Sequence, residues 1–388
     1  MNPVYLDYFA TTPVDPAVAA AMAGCLTRDG IFGNAASRSH RYGWEAEMAV
    51  EAARQQLASL LNADLREIVW TSGATESDNL AIKGVVQVAR EEGNERPHVV
   101  TSAIEHKAVL DSCHALEAGG VEVTRLAPDA DGLIRPGAVA EALTERTCLV
   151  SIMHANNEIG TVNDIAAIAE HTRAAKIPLH VDAAQSVGKI PVDVQALGAD
   201  LLSISAHKFY GPKGMGALYC RRAVHQRVAA QIHGGGHERG LRSGTLATHQ
   251  IVGLGKAAEI AAQSLPEEGE RLRMLREEFL ASLGDLPGVT LNGHPQQRLP
   301  GGVNISVADV EGEALLLSLP EFAVSTGSAC SSASLQPSYV LKALGLPDAL
   351  AHSSLRISLG RYTTAADMEL LSARLHEVVP RLRDSAAA

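Results

Sequence analysis

The sequence lacks any unbroken run of about 18 apolar residues, and its N-terminus has neither a basic flank nor an apolar signal core. Its five cysteines are an odd number without a C-x-x-C pair, which argues against a disulfide framework or a four-thiolate zinc site. Positive charge is also scarce, and a formal charge of -11 argues against non-specific nucleic-acid binding. We therefore expect a cytoplasmic protein with no membrane partner, no direct nucleic-acid partner and no intrinsic metal site.

The 388-residue chain is longer than one ordinary globular domain, and 46% of its residues are hydrophobic, which allows an ample core. Between residues 98 and 205, apolar runs of strand length alternate with segments of helical spacing. This alternation is typical of a mostly parallel sheet with helices on both faces. We predict an α/β protein with an N-terminal arm (1–15) that contributes to the small domain. A large domain (16–260) and a smaller α+β domain (261–388) are predicted to follow.

Ligands of such sheets bind where the strands end, so the polar residues that follow each predicted strand are candidate site residues. Lys208 follows a buried run that includes Leu201 and Leu202, and it lies beside Ser205 and His207. An amine that is desolvated at a strand end, near a second potential cation, becomes nucleophilic and suits Schiff-base chemistry. The alternative is a surface turn with a solvated lysine.

A turn rich in glycine and threonine precedes a helix predicted over 80–90 and contains Ala74 and Thr75. Free N–H groups and the helix dipole at such a turn favour an anion such as phosphate. The alternative for Thr75 is a simple N-cap role. A later glycine-rich loop is predicted to bring Arg242 and Thr245 to a phosphate.

Four other side chains indicate chemistry. Asp182 closes a buried strand, where a carboxylate needs a cationic partner; a helix cap or a core ion pair is the alternative. His106 opens a helix and could stack on a ring or move a proton, or it could be only a cap. Arg356 on a strand suits a substrate carboxylate, or else a structural salt bridge. Cys330 lies in a polar stretch that would expose its thiol.

Several long motifs, in this order, resemble the cysteine desulfurases of the IscS/NifS type, and the match runs from Tyr5 to about Leu382. The motifs are Thr71-Ser-Gly-Ala-Thr-Glu-Ser-Asp-Asn79, Glu105-His-Lys107, Val181-Asp-Ala-Ala-Gln185, Ser205-Ala-His-Lys208 with Gly211-Pro-Lys-Gly214, Ser328-Ala-Cys330 and His352-Ser-Ser-Leu-Arg356.

The resemblance implies a fold-type I, pyridoxal-phosphate-dependent homodimer, in which Lys208 holds the cofactor covalently and Cys330 accepts sulfur. Asp182 would pair with the ring nitrogen, Gln185 would contact the ring hydroxyl, and His106 would stack on the ring and act in catalysis. The remaining implied contacts are Ala74, Thr75, Ser205, His207 and, from the other subunit, Thr245 for the phosphate; Asn157 beside the ring and the substrate; and Arg356 with Asn34 for the substrate carboxylate.

The implied reaction removes sulfur from L-cysteine, gives L-alanine and leaves a persulfide on Cys330. The sulfur would pass to acceptors for iron–sulfur cluster assembly and for products such as thiolated tRNA. An iron–sulfur scaffold protein is an implied partner, with Cys330 as a transient ligand of a shared 2Fe–2S cluster.

The sequence departs from the family pattern at two places. Ala206 stands where the family commonly has glycine, a change that we expect only to tighten packing. The chain ends at Ala388, short of the extended tail by which family members dock their scaffold, which weakens the expectation of scaffold docking. A selenocysteine lyase or another class V aminotransferase is the alternative, since it would share Lys208 and Asp182 without needing a thiol in the loop.

Overall fold

The computed structural model describes residues 2–326 and 337–387. Its strands are β1 (Val4–Tyr5), β2 (Ile68–Thr71), β3 (His98–Ser102), β4 (Glu122–Leu126), β5 (Thr147–Ser151), β6 (Leu179–Asp182), β7 (Leu201–Ser205), β8 (Gly216–Cys220), β9 (Val289–Leu291), β10 (Gly302–Val307), β11 (Phe322–Ala323) and β12 (Ser354–Ser358). Its α-helices are α1 (Pro16–Ala23), α2 (Arg41–Leu61), α3 (Ala74–Glu91), α4 (Lys107–Glu117), α5 (Pro136–Ala142), α6 (Ile165–Ala174), α7 (Val194–Leu197), α8 (Thr248–Ser282), α9 (Gly312–Leu317), α10 (Tyr339–Ala343), α11 (Asp348–His352) and α12 (Ala365–Ala387).

A seven-stranded sheet, in the order β2-β8-β7-β6-β5-β3-β4, forms the centre of the large part of the molecule. Strands β3 to β7 pair in parallel, and β8 runs antiparallel to both β7 and β2. Every residue of β5, β6 and β7 is buried, as expected for a sheet covered on both faces. The predicted α/β class with a mostly parallel sheet is confirmed.

A second, smaller sheet has the order β12-β10-β9 and is antiparallel. Its core includes Phe279, Ile305, Ile357 and Leu371, and Leu6 from the N-terminal arm packs into the same cluster. Strand β1 of the arm also pairs in parallel with β11. The arm is therefore packed against the small sheet.

Helix α8 belongs to both hydrophobic cores. Its first half, including Ile251 and Ala261, packs against the large sheet. Leu272 in its second half and Leu283, just beyond its end, belong to the core of the small sheet. The predicted boundary at residue 260 falls where the helix passes from one core to the other. The domain bounds themselves stay a prediction.

Helices α1 and α3 and strand β8 are among the elements that differ from the sequence-based expectations. Helix α3 begins at Ala74 rather than at residue 80, because its polar first turns resemble a loop in sequence. Helix α1, which directly follows the predicted arm, has no counterpart in the predicted elements, and the Asp15 side chain caps it by accepting from the Ala17 N–H. Strand β8 has no counterpart in the elements predicted from the sequence. Among the described residues, no helix combines the length and apolar character that crossing a membrane requires.

Candidate active site

A cavity of about 570 Å³ opens at the carboxyl ends of the parallel strands, and we call it the large cavity. It brings together most of the predicted site residues. These are Ala74, Thr75, His106, Asn157, Asp182, Gln185, Ser205, His207, Lys208 and Arg356. Parallel strands place their carboxyl ends at one edge, which explains why residues so far apart in sequence meet here.

Lys208 lies in a single 3₁₀ turn, Ala206–Lys208, directly after β7, and its side chain is half-buried. Its Nζ donates to the carbonyl oxygens of Phe9 at 2.6 Å and Ala10 at 2.9 Å. The N-terminal arm therefore forms one wall of the site and holds the amine. Sequence periodicity gave no signal for this contact, since the arm has no regular pattern.

The N-terminus of α3 supplies the expected anion site. Gly73 precedes the helix and provides no side-chain cap, so the first N–H groups face the large cavity. Ser205 and His207 flank them, and His207 Nδ1 lies 3.0 Å from Thr11 Oγ1. Burial lowers the pKa of His207 to about 4, with the charge of Lys208 adding to this effect, so the imidazole is neutral at pH 7.

Arg242, predicted to reach a phosphate, instead pairs with Glu76 of the same chain at 2.8 Å. Its guanidinium is thus held on the first turn of α3, where it fixes the glycine-rich loop. The sequence held no indication of this pair, and a phosphate contact of Arg242 stays a prediction.

Asp182 ends β6 at the floor of the large cavity, and only 4% of the residue is exposed. Its Oδ1 accepts from the Ala184 N–H at 2.9 Å. Burial raises the pKa of Asp182, whereas His106 opposes the rise. A buried carboxylate of this kind is stabilised by a cation, and a protonated ring nitrogen would provide one.

His106 is the N-cap of α4, and its Nδ1 accepts from the Ala108 N–H at 3.1 Å. Burial lowers the pKa of His106, so the neutral ring carries its proton on Nε2. His106 therefore caps α4 and also lines the large cavity. The cap uses Nδ1 and not Nε2, so stacking or proton transfer by His106 is compatible with the cap and stays a prediction.

Behind Asp182 lies a layer of buried polar groups that sequence reasoning missed. His180 lies between the hydroxyls of Ser151 and Ser203, and Asp78 Oδ1 is 3.5 Å from His180 Nε2. Burial raises the pKa of Asp78 well above its ordinary value and lowers that of His180 to about 3. His180 is therefore neutral at pH 7, and burial favours the protonated form of Asp78. A polar residue on the inner face of α3 was the only signal for Asp78.

Arg356 is 2% exposed, and its Nη2 donates to Asp7 Oδ1 at 2.8 Å while Nη1 donates to the Asn157 carbonyl at 3.1 Å. The structural salt bridge considered from the sequence is thus present. Its Nε has no hydrogen-bond partner among the described residues, and the side chain still lines the large cavity. Asn157 Oδ1 at the same cavity is likewise unpaired within the described chain.

Three predicted residues are not among those that line the large cavity. Asn34 is exposed, and its Oδ1 accepts from the Ala36 N–H in a turn. Thr245 is exposed on the glycine-rich loop. Cys330 lies outside the described residues.

The residues of the large cavity fit pyridoxal 5'-phosphate. They offer uncapped helix N–H groups for its phosphate, a buried carboxylate for its ring nitrogen, an amide at Gln185 for its ring oxygen and an amine at Lys208 for its aldehyde. The unpaired Asn157 Oδ1 is consistent with a polar ligand. No cluster of three or more metal-ligating side chains occurs within the part of the chain that the structure describes.

Residues 4–371 match the family described as Aminotransferase class-V, and the chain belongs to this family. Among curated relatives, the cysteine desulfurase IscS of Acinetobacter baumannii (strain AYE) is 59% identical over 384 residues, which cover 99% of this chain and 94% of that protein. The solved structure of a NifS-like protein aligns with a TM-score of 0.89 at 35% identity, covering 98% of this chain and 100% of that one. Another solved structure, that of SspA in complex with cysteine, has a TM-score of 0.82 at 39% identity, covering 93% and 100%.

The narrower prediction, a cysteine desulfurase of the IscS/NifS type, is confirmed by these relatives. The predicted fold-type I architecture, the enzyme class and the cofactor pyridoxal 5'-phosphate are confirmed with it.

Proposed function

We propose that this desulfurase takes sulfur from L-cysteine, releases L-alanine and carries the sulfur as a persulfide on Cys330. The observation that carries the proposal is the meeting of Lys208, Asp182 and the uncapped start of α3 at one cavity. The similarity to SspA, whose solved structure is a complex with cysteine, supports the choice of substrate.

When bound, pyridoxal phosphate withdraws electrons from the substrate's carbon skeleton. The chain's own residues hold it in place: Lys208 binds it covalently, and the carboxylate of Asp182 stabilises its protonated ring nitrogen. The helix N–H groups at Ala74 and Thr75, with Ser205 and His207, bind its phosphate, and Asn157 lies beside the ring. In this proposal Thr245 adds a phosphate contact from the other subunit of a homodimer.

Arg356 and Asn34 are proposed to bind the substrate carboxylate. Because Arg356 already pairs with Asp7, a carboxylate would share its guanidinium through the unpaired Nε. With cysteine bound, Lys208 would move protons at the substrate. His106, neutral and with its proton on Nε2, could donate the proton that the carbon takes up when the carbon–sulfur bond breaks.

Sulfur transfer follows as a displacement. The Cys330 thiolate forms a bond to the substrate's sulfur, the carbon–sulfur bond breaks, and its electron pair remains with the carbon, which is protonated to alanine's methyl group. Persulfide sulfur then passes to acceptors that serve iron–sulfur cluster assembly and tRNA thiolation. An iron–sulfur scaffold is one such acceptor, and Cys330 would transiently ligate a shared 2Fe–2S cluster.

Substitution of the sulfur acceptor tests the proposal. We expect Cys330→Ser to retain the visible absorption of bound pyridoxal phosphate but to form no alanine from cysteine above background, because serine cannot accept the sulfur. Cys25→Ser is the matched control, since Cys25 is 7% exposed and lines no part of the large cavity. Unchanged alanine formation by Cys330→Ser would contradict the persulfide step.

The homodimer and the cytoplasmic location belong to the same proposal. Exposed aromatic and sulfur side chains support a dimer. The Phe32 and Tyr42 rings are in tilted contact with centroids 5.2 Å apart, and Trp44 and Met48 are 51% and 72% exposed on α2. Sedimentation of the purified protein tests the dimer, and cell fractionation tests the location. Co-purification with a scaffold protein tests docking.

A further inference from the structure

A second lysine lies directly behind the proposed cofactor site. Lys189 does not line the large cavity; it lines a small enclosed cavity of about 20 Å³ next to it. Its Nζ donates to Gln185 Oε1 at 2.6 Å and lies 4.9 Å from the centroid of the Phe9 ring. A hydrogen bond to Gln185 thus connects this amine to the large cavity.

The Gln185 amide is held in one orientation by two neighbours. Its Oε1 accepts from Lys189, and its Nε2 donates to the Phe9 carbonyl at 2.8 Å. A carbonyl oxygen can only accept, and an amine retains N–H donors whether or not it is charged. Both contacts therefore require the same placement of oxygen and nitrogen. The second hydrogen on Nε2 is left to meet a ligand in the large cavity, so Gln185 acts as a donor there.

We propose that Lys189 is a positioning residue that orients and polarises the Gln185 amide as an N–H donor to the ring oxygen of the cofactor. The inference rests on the proposed placement of pyridoxal phosphate. It explains what a partly buried lysine does at this position: it donates to the oxygen of the Gln185 amide, whose nitrogen would donate to the ligand.

The hydrogen bond has a predictable effect on the cofactor's spectrum. A donor held against the ring oxygen stabilises the deprotonated cofactor more than the protonated one, in which that oxygen already shares the cofactor's own proton. Hydrogen bonds in a chain strengthen one another, so losing the Lys189 bond weakens the Gln185 donor. The midpoint pH of the cofactor's visible transition should then rise by about 0.3 to 0.7 unit.

Other titratable groups around the two residues are present in every variant, so they cancel in the comparison. Burial lowers the pKa of Lys189 well below its ordinary value, and the nearby cations Lys208 and Arg356 act in the same direction. Glu268, at the small cavity, accepts from Arg361 at 2.9 Å and from the Tyr210 hydroxyl at 3.3 Å. The groups on the cofactor side are Asp182, His106 and His207.

The experiment is a pH titration of visible absorption on the purified holoenzyme. We expect the midpoint to rise in Lys189→Met and to stay near that of the wild type in Lys189→Arg, which keeps a donor. In a Gln185→Ala background, Lys189→Met should add no further shift, because the amide that transmits the effect is gone. Lys189→Ala replaces Lys189→Met if the methionine variant does not fold.

Two results would overturn the inference. One is an unchanged midpoint in both loss variants. The other is a shift of equal size in the Gln185→Ala background, since this would show that the lysine acts through its field rather than through the amide. A wild-type protein without any visible cofactor band would instead refute the proposed function, so the two failures are distinguishable.

Discussion

A buried ion pair fixes the glycine-rich loop that carries Thr245 to the body of the protein. Arg54 on α2 pairs in bidentate fashion with Glu238, at 2.7 and 3.0 Å, and the two side chains are 4% and 3% exposed. Glu238 also accepts from the Trp70 N–H at 2.9 Å. Glu238 and Arg239 have φ values of 48° and 57°, a left-handed conformation that non-glycine residues rarely adopt. We predict that Glu238→Ala destabilises the protein strongly.

The magnitude follows from what the substitution leaves behind. Removing one partner of a buried pair leaves an uncompensated charge and costs about 3 to 5 kcal/mol. The Glu51 side chain is 47% exposed, and its Oε1 lies 3.0 Å from Arg54 Nε. Because Glu51 compensates part of the Arg54 charge, we take the lower end of this energy range. Unfolding entropy near 2.1 cal/mol/K per residue gives roughly 0.8 kcal/mol/K for a chain of this size, so about 3 kcal/mol corresponds to about 4 °C in Tm.

Thermal unfolding followed by circular dichroism, at equal protein and cofactor concentrations, measures this effect. Glu45→Ala is the matched control, because it breaks the exposed Arg41–Glu45 pair, where the Arg41 side chain is 84% exposed, and should change Tm by less than about 1 °C. Glu238→Gln should fall between the two, since it keeps an acceptor without the charge. If Glu238→Ala melted within about 1 °C of Glu45→Ala, the assignment of the pair as a buried anchor would be refuted.

Two further predictions concern Gly216 and Glu158, which are neighbours of residues that line the large cavity. A Cβ at Gly216 would lie 2.6 Å from the Gly73 Cα, so Gly216→Ala should displace the start of α3. We expect this variant to bind pyridoxal phosphate about 10-fold more weakly, or worse, in an absorbance titration. Gly137→Ala, where a Cβ meets nothing within 4 Å, is the control, and equal affinities of the two variants would contradict the argument. Burial raises the pKa of Glu158 from 4.5 to about 7, so the folded state binds this proton more tightly than the unfolded state and loses stability as the pH rises through that window. The glutamine in Glu158→Gln does not titrate. The Tm of this variant minus the Tm of the wild type should therefore rise by about 3 °C between pH 5 and pH 7, and a constant difference would contradict this.

The parallel part of the sheet could be predicted because each buried strand is a short apolar run followed by polar residues. Strands β3, β6 and β7 lie within residues 98–205, where the sequence predicted strands alternating with helices. Strand β8 could not be predicted in the same way, because it follows a glycine-rich turn. That pattern indicates only that the backbone could lie close to a ligand. Its start, Gly216, in fact pairs with both Ser205 and Thr71.

The cavity residues were predictable where chemistry required a residue type at a strand end, as for Lys208 and Asp182. The supporting contacts were not, because they join distant segments. Lys189 contacts Gln185, four positions earlier, but its proposed role depends on Phe9, 176 positions from Gln185. Likewise, nothing in the sequence indicated that Asp7 would pair with Arg356.

The N-terminal arm has a mechanical consequence. The carbonyls of Phe9 and Ala10 hold the Lys208 amine, while a few residues earlier Asp7 accepts from the Ser325 hydroxyl and β1 pairs with β11. The same ten residues therefore contact both the Lys208 amine and the segment Phe322–Ser325. We expect an affinity tag that disturbs the first ten residues to disturb these two sets of contacts together.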